Sequence, residues 1–146
     1  MFNNILLASD GSDYALRAAE TTAELARSLG SAVTVLHVFT LPVVQTAMPG
    51  LPSVSLEPGA VNAYMEEVQD AVAKRTGKVF DSAGLSYQIR MEAGHPAEVI
   101  VRVAEDQKFD LIVMGSRGMS AIKSFLLGSV SDRVLHHAHC PVLIVK

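Results

Sequence analysis

Gly115-Ser116-Arg117-Gly118, then nine residues, then Gly128-Ser129, is the spacing in this chain that could do the most chemistry. Glycine lets backbone N–H groups approach an anion with no Cβ in the way. The apolar run Leu111–Met114 precedes this segment, and Val130–His137, patterned as a helix, follows it. A strand, a glycine loop and a helix start are the parts from which a phosphate cradle is built. The spacing predicts that Gly115 and Gly118 turn the loop sharply over a sheet and that Gly128 permits close approach at the helix start. Ser129 caps that helix, and Asp132 three residues on completes a Ser-x-x-Asp capping box. The amides of Ser129, Val130 and Ser131 then lack intrahelical partners and face phosphate oxygens, aided by the helix dipole. The hydroxyls of Ser129 and Ser131 add donors, and Arg117 adds positive charge. The competing reading is a plain turn before a capped helix, and short glycine spacings alone do not separate the two. A carboxylate beside a phosphate is unfavourable, so Asp132 supports the cradle only if it points away.

Asp10 is the second candidate. A carboxylate just past a first strand accepts hydrogen bonds from a ribose diol or helps hold magnesium. It is equally a common turn residue before a helix. Other nucleotide signatures are missing. There is no Gly-x-Gly-x-x-Gly, and Gly77-Lys78-Val79 lacks the Ser/Thr and upstream glycine of a Walker A loop. His136, His137, His139 and Cys140 match no standard zinc spacing; the histidines read as dipole-complementing residues of a last helical turn, and Cys140 as a small apolar residue leading into a strand. His37 reads as a satisfied core histidine and His95 as a helix-start residue. Neither has the Ser and carboxylate neighbours of a catalytic triad.

These residues need elements to position them. Ile5–Ala8, Val33–Val38, Ser86–Glu92, Leu111–Met114 and Val142–Val145 read as five strands. Ser12 caps a first helix that carries Ala15, Ala18, Ala19, Thr22, Leu25, Ala26 and Leu29 at helical spacing and stops at Gly30. Val61–Ser82 is a second helix, and Pro96 opens a third that runs to Gln107. Residues 40–60 hold Pro42, Pro49, Gly50, Pro52, Pro58 and Gly59 and read as a long loop beside a ligand or partner. Strands and helices alternate throughout, which implies a parallel sheet covered on both faces. In such sheets ligands settle outside the carboxyl ends of the strands where the order reverses. Asp10, Val38 and the Gly115 loop all fall at that edge.

Composition sets bounds. The chain has 146 residues, 49% of them hydrophobic but only 5% aromatic, with no tryptophan. That is one α/β domain with an aliphatic core. A net charge of −3 does not attract polyanions, so nucleic acid is not an expected partner. The single cysteine, Cys140, suits a reducing compartment. No signal-peptide pattern or bilayer-length apolar run is present, so the expected location is cytoplasmic and away from membranes.

Gly115-x2-Gly118-x9-Gly128-Ser129 resembles the nucleotide-binding signature of the universal stress proteins. So do the opening Ile5-Leu6-Leu7-Ala8-Ser9-Asp10-Gly11-Ser12, the Ala-rich first helix, Gly94-x-Pro96, Asp110–Gly118 and the ending Cys140–Val145. The resemblance covers residues 1–146 as one domain. It implies a Rossmann-like, adenine-nucleotide α-hydrolase-like fold: a five-stranded parallel sheet of order 3-2-1-4-5. It implies that Asp10 contacts a ribose, with magnesium as a further partner, and that the Val38 backbone meets adenine. Ala8 and Met114 belong to the same implied contact set, Gly115 lies by the ribose, and Gly118, Gly128, Ser129, Val130 and Ser131 surround the phosphates, to which Arg117 adds charge. It implies ATP or AMP as ligand and a homodimer joined through Val142–Val145. The expected function is a nucleotide-responsive stress-response module. A positioned base beside the phosphates is lacking, so efficient turnover is not expected. The alternatives are a nucleotide-dependent hydrolase and a nucleotide-free protein-interaction dimer.

Overall fold

The computed structural model describes residues 1–40, 57–118 and 127–146. Most of the expected loop, residues 41–56, lies outside the described residues, as does 119–126 between the two glycine pairs.

Strand β1, Asn4–Ala8, is central, and its Ile5, Leu6 and Leu7 are fully buried. A strand covered on both faces reads as a continuous apolar run rather than an alternating one. Ser12 then caps helix α1, Asp13–Leu29, by accepting the Ala15 amide, and Gly30 ends it at φ 70°. The buried stripe of α1 is made of Ala15, Ala18, Ala19, Thr22, Ala23 and Ala26, small enough to let the helix lie close on the sheet. Strand β2, Ala32–Phe39, pairs in parallel with β1.

Helix α2, Pro58–Val72, starts earlier than the sequence suggested. Pro58 and Gly59 belong to its first turn, where proline's missing N–H costs nothing. It continues through a five-residue π-helical segment, Ala73–Gly77, into α3, Lys78–Ala83. Strand β3, Gln88–Ala93, joins β2, and α4, Pro96–Asp106, leads to β4, Leu111–Gly115. Helix α5, Ser129–His137, leads to β5, Val142–Val145.

The sheet is wholly parallel, of order β3-β2-β1-β4-β5, as expected. Alternate residues of β1 feed two cores. Ile5 and Leu7 meet the α1 alanines and Phe80 of α3, whereas Leu6 and Ala8 meet Ile100 and Val103 of α4 and Val134 of α5. The strand order reverses beside β1, so the carboxyl ends of β1, β2 and β4 open on one crevice.

Candidate functional site

That crevice holds a cavity of about 1040 Å³. All eleven residues singled out by spacing or resemblance line it. Ala8 and Asp10 come from the end of β1, Val38 from β2, and Met114 and Gly115 from β4. Arg117 and Gly118 follow β4, and Gly128, Ser129, Val130 and Ser131 begin α5. Residues from β1, β4 and α5 thus meet across more than one hundred positions of chain because a parallel sheet puts the ends of its strands together.

The α5 end differs from the expected capping box. Gly128, not Ser129, is the N-cap, and no side chain caps the helix. The Gly128 amide donates to the Ser116 carbonyl at 2.7 Å, which draws the chain in one residue early. The buried Ser131 hydroxyl lies 3.0 Å from the Ser116 carbonyl and 2.9 Å from the Gly128 carbonyl. Its single proton serves the loop, so it is not an additional donor to a ligand. The helical ladder opens with the Asp132 amide donating to the Gly128 carbonyl at 2.9 Å. The amides of Ser129, Val130 and Ser131 therefore precede the ladder and find no acceptor among the described residues. Asp132 is exposed, 3.7 Å from the ring of His136, but it also lines the cavity, so the sequence condition that it point away from the site is not met in full.

The glycines act through approach rather than through turning. None of Gly115, Gly118 and Gly128 has a positive φ. A Cβ on Gly115 would lie 2.8 Å from the Tyr14 backbone, so this glycine seats β4 against α1. One on Gly118 would lie 2.7 Å from Oδ2 of Asp10, and one on Gly128 would lie 3.3 Å from the Ser116 carbonyl. Gly118 and Asp10 thus converge from loops 108 positions apart, on opposite sides of the switch point.

Asp10 Oδ1 accepts the Ser12 amide at 3.0 Å, the turn role the sequence also allowed, while the residue still lines the cavity. Arg117 stays at the rim. Its guanidinium lies 5.8 Å from the Tyr14 ring centroid, with Nη1 3.4 Å from the Tyr14 hydroxyl. Past the last β1–β2 rung, Ala8 with Leu36, β2 runs on alone on that side. The Leu36 carbonyl accepts the Ser9 amide, so by the two-residue period the Val38 N–H and C=O also point toward β1, beyond its end.

Several cavity residues were not identified from sequence. Tyr64 and Val68 come from α2, and Pro96 and Ile100 from α4. Val61, Met65 and Val68, partly buried, and Val72, buried, form the inward stripe of α2, which marks a helix face but not what it faces. His37 is both a satisfied buried histidine and a cavity residue: its Nδ1 donates to the Ser9 carbonyl at 2.8 Å. The terminal histidines behave as expected, with His136 and His137 donating Nδ1 to carbonyls one turn back. Among the described residues no three His, Cys, Asp or Glu side chains gather to hold a metal, and no helix is long and apolar enough to cross a membrane.

Fold and cavity together define a Rossmann-like α/β protein with a crevice at its switch point. The chain belongs to the universal stress protein family, whose profile matches residues 1–146. Universal stress protein MJ0531 of Methanocaldococcus jannaschii is 36% identical over 146 residues, spanning 100% of this chain and 83% of that protein. The structure of MJ0577 from the same organism superposes with a TM-score of 0.78 at 26% identity, covering 100% of this chain and 96% of that one. A universal stress protein solved in complex with cAMP gives a TM-score of 0.69 at 26% identity, covering 99% of this chain and 97% of the other.

Proposed function

We propose that this universal stress protein binds an adenine nucleotide, ATP or AMP, in the crevice and works as a homodimeric, cytoplasmic, nucleotide-responsive module. The observation that carries the reading is the unpaired amide triplet of Ser129, Val130 and Ser131 opening on the cavity that Asp10 also lines. In this reading the α5 amides and Ser129 hydroxyl hold phosphate, and Arg117 swings to it from the rim. Asp10 takes the ribose, and the Val38 N–H and C=O read the adenine edge between Ala8 and Met114. Magnesium, for which Asp10 is the proposed carboxylate, enters with the nucleotide phosphates. A relative of this fold that holds cAMP supports an adenine ligand. Mass spectrometry of the denatured protein tests the reading: adenine nucleotide released in proportion to protein is expected. A sample with no nucleotide and no thermal shift at millimolar ATP would favour the ligand-free interaction dimer.

Turnover is not part of this proposal. Of the two carboxylates that line the cavity among the described residues, Asp10 is bonded to the Ser12 amide and Asp132 lies 3.7 Å from the His136 ring. A magnesium-dependent ATPase rate well above the spontaneous one, lost in Ser129→Ala, would make the protein a hydrolase instead.

The dimer reading rests on unequal sheet edges. The β3 edge carries Arg90 and Glu92, paired at 2.6 Å, and Arg102 of α4 lies 3.4 Å from the same carboxylate. The β5 edge, Val142–Val145, is half-buried and wholly apolar. Charge guards an edge against pairing, and an apolar edge invites it.

A further inference from the structure

The π-helical segment Ala73–Gly77 has no role in the site as derived so far, yet its side chains end on the loop that carries Asp10. Thr76 is fully buried, and its hydroxyl lies 2.9 Å from that of Ser9. Arg75 Nη1 donates to the Gly11 carbonyl at 2.6 Å, and Nη2 lies 3.4 Å from Asp13. The residues on both sides of Asp10 are therefore held from this one segment. The remaining polar atoms of Ser9 are also taken. Its amide donates to the Leu36 carbonyl at 3.0 Å, its carbonyl accepts His37 Nδ1, and its hydroxyl accepts the Gly11 amide at 3.3 Å. At Gly118 the missing side chain leaves the Asp10 carboxylate its room, since a Cβ there would lie 2.7 Å from Oδ2.

A π segment widens the helix by one residue per turn and so changes the direction in which side chains leave it. Here that turn aims Thr76 inward at Ser9 while Arg75 reaches Gly11 from the rim. The Gly77 position, where a Cβ would meet the Tyr87 hydroxyl, lets the widened turn seat against the end of the chain before β3. The same continuous helix carries Tyr64 and Val68, which line the cavity. One helix thus both lines the crevice and holds the loop that carries Asp10.

We infer that Thr76, with Arg75, is a positioning residue for Asp10: the π segment fixes where that carboxylate sits and thereby sets how strongly the crevice distinguishes ribose hydroxyls. The inference rests on the adenine-nucleotide reading of the site. Thr76→Val keeps shape and removes the hydroxyl, whereas Thr76→Ser keeps the hydroxyl. The readout is the ratio of affinities for AMP and 2′,3′-dideoxy-AMP, which a loss of global stability would not move.

The wild-type protein is expected to prefer AMP by about tenfold, the worth of a charge-assisted hydrogen bond. Thr76→Val should bring the ratio down to about two while dideoxy-AMP affinity changes little, and Thr76→Ser should restore it. Arg75→Met, at a half-exposed side chain, should lower the ratio in the same direction and supplies the test if Thr76→Val does not fold. An unchanged ratio in a folded Thr76→Val, or in Arg75→Met where that variant must serve, overturns the inference and leaves the nucleotide reading standing. A wild-type protein that binds both ligands equally overturns the contact between Asp10 and ribose, and the inference with it. A protein that binds neither ligand overturns the nucleotide reading itself.

Discussion

At the scale of single residues, three glycines of one motif do three different things. Gly115 is needed by the fold, because any Cβ there meets the Tyr14 backbone at 2.8 Å and backbone cannot swing aside. Gly115→Ala should destabilise by about 1–3 kcal/mol, the cost of overpacking, read as a lowered denaturant midpoint. Under the proposed function Gly118 is needed by the ligand, because its Cβ would displace the Asp10 carboxylate, the end of a side chain that can move. Gly118→Ala should keep the wild-type midpoint within about 1 kcal/mol while AMP affinity falls about tenfold or more. Equal loss of stability in both variants would contradict this division. The motif was legible in the sequence as a cradle, but the distribution of labour was not. Spacing says that no side chain fits, and only the fold says what would have been hit. Ser131 makes the same point: its type promised a ligand donor, and its burial beside two carbonyls turned it into a brace for Gly128.

At the scale of elements, the alternation of apolar runs with helical stripes identified all five strands and a parallel sheet, because each parallel strand needs a crossover helix, while the order 3-2-1-4-5 came with the family resemblance. The interruption at Ala73–Gly77 was not legible. Nothing in Ala-Lys-Arg-Thr-Gly disfavours an α-helix strongly, and the widening accompanies contacts that form only when β1 and β3 are in place. Gly77 and Tyr87 make that dependence testable. Tyr87 stacks on Phe80 at 5.2 Å between ring centroids, and its hydroxyl takes the space a Gly77 side chain would need. Gly77→Ala should therefore expel Tyr87 and cost about 1–3 kcal/mol, an effect removed in large part by pairing it with Tyr87→Phe. Burial, and then the neighbouring Asp81 carboxylate, push the Tyr87 phenol above its ordinary value of 10.0. The folded state thus holds this proton more tightly than the unfolded chain does. Its contribution is present below pH 10 and is lost as pH climbs through the raised value. The unfolding midpoint should fall above pH 10 in the wild type and fall less in Tyr87→Phe.

At the scale of the whole molecule, the unequal sheet edges and the crevice make separate claims that must be tested apart. The Pro141 and Val145 carbonyls accept amides from the β4 side, so the Val142 and Ile144 amides point outward. Ile144→Pro should remove an outward donor, leave the ladder to β4 intact, and turn a dimer into a monomer by light scattering. Nucleotide affinity should survive, since β5 lines no part of the cavity. The crevice itself is decided most directly by titration calorimetry of ATP into nucleotide-stripped protein, wild type beside Gly128→Val. One saturable site per chain is expected in the wild type. That site should be absent from a folded Gly128→Val, whose side chain would press on the Ser116 carbonyl and Ser131 hydroxyl that hold the α5 amides in place. Equal ATP affinity in the two proteins, or no binding to the wild type at millimolar ATP, would contradict the claim that these amides grip a nucleotide.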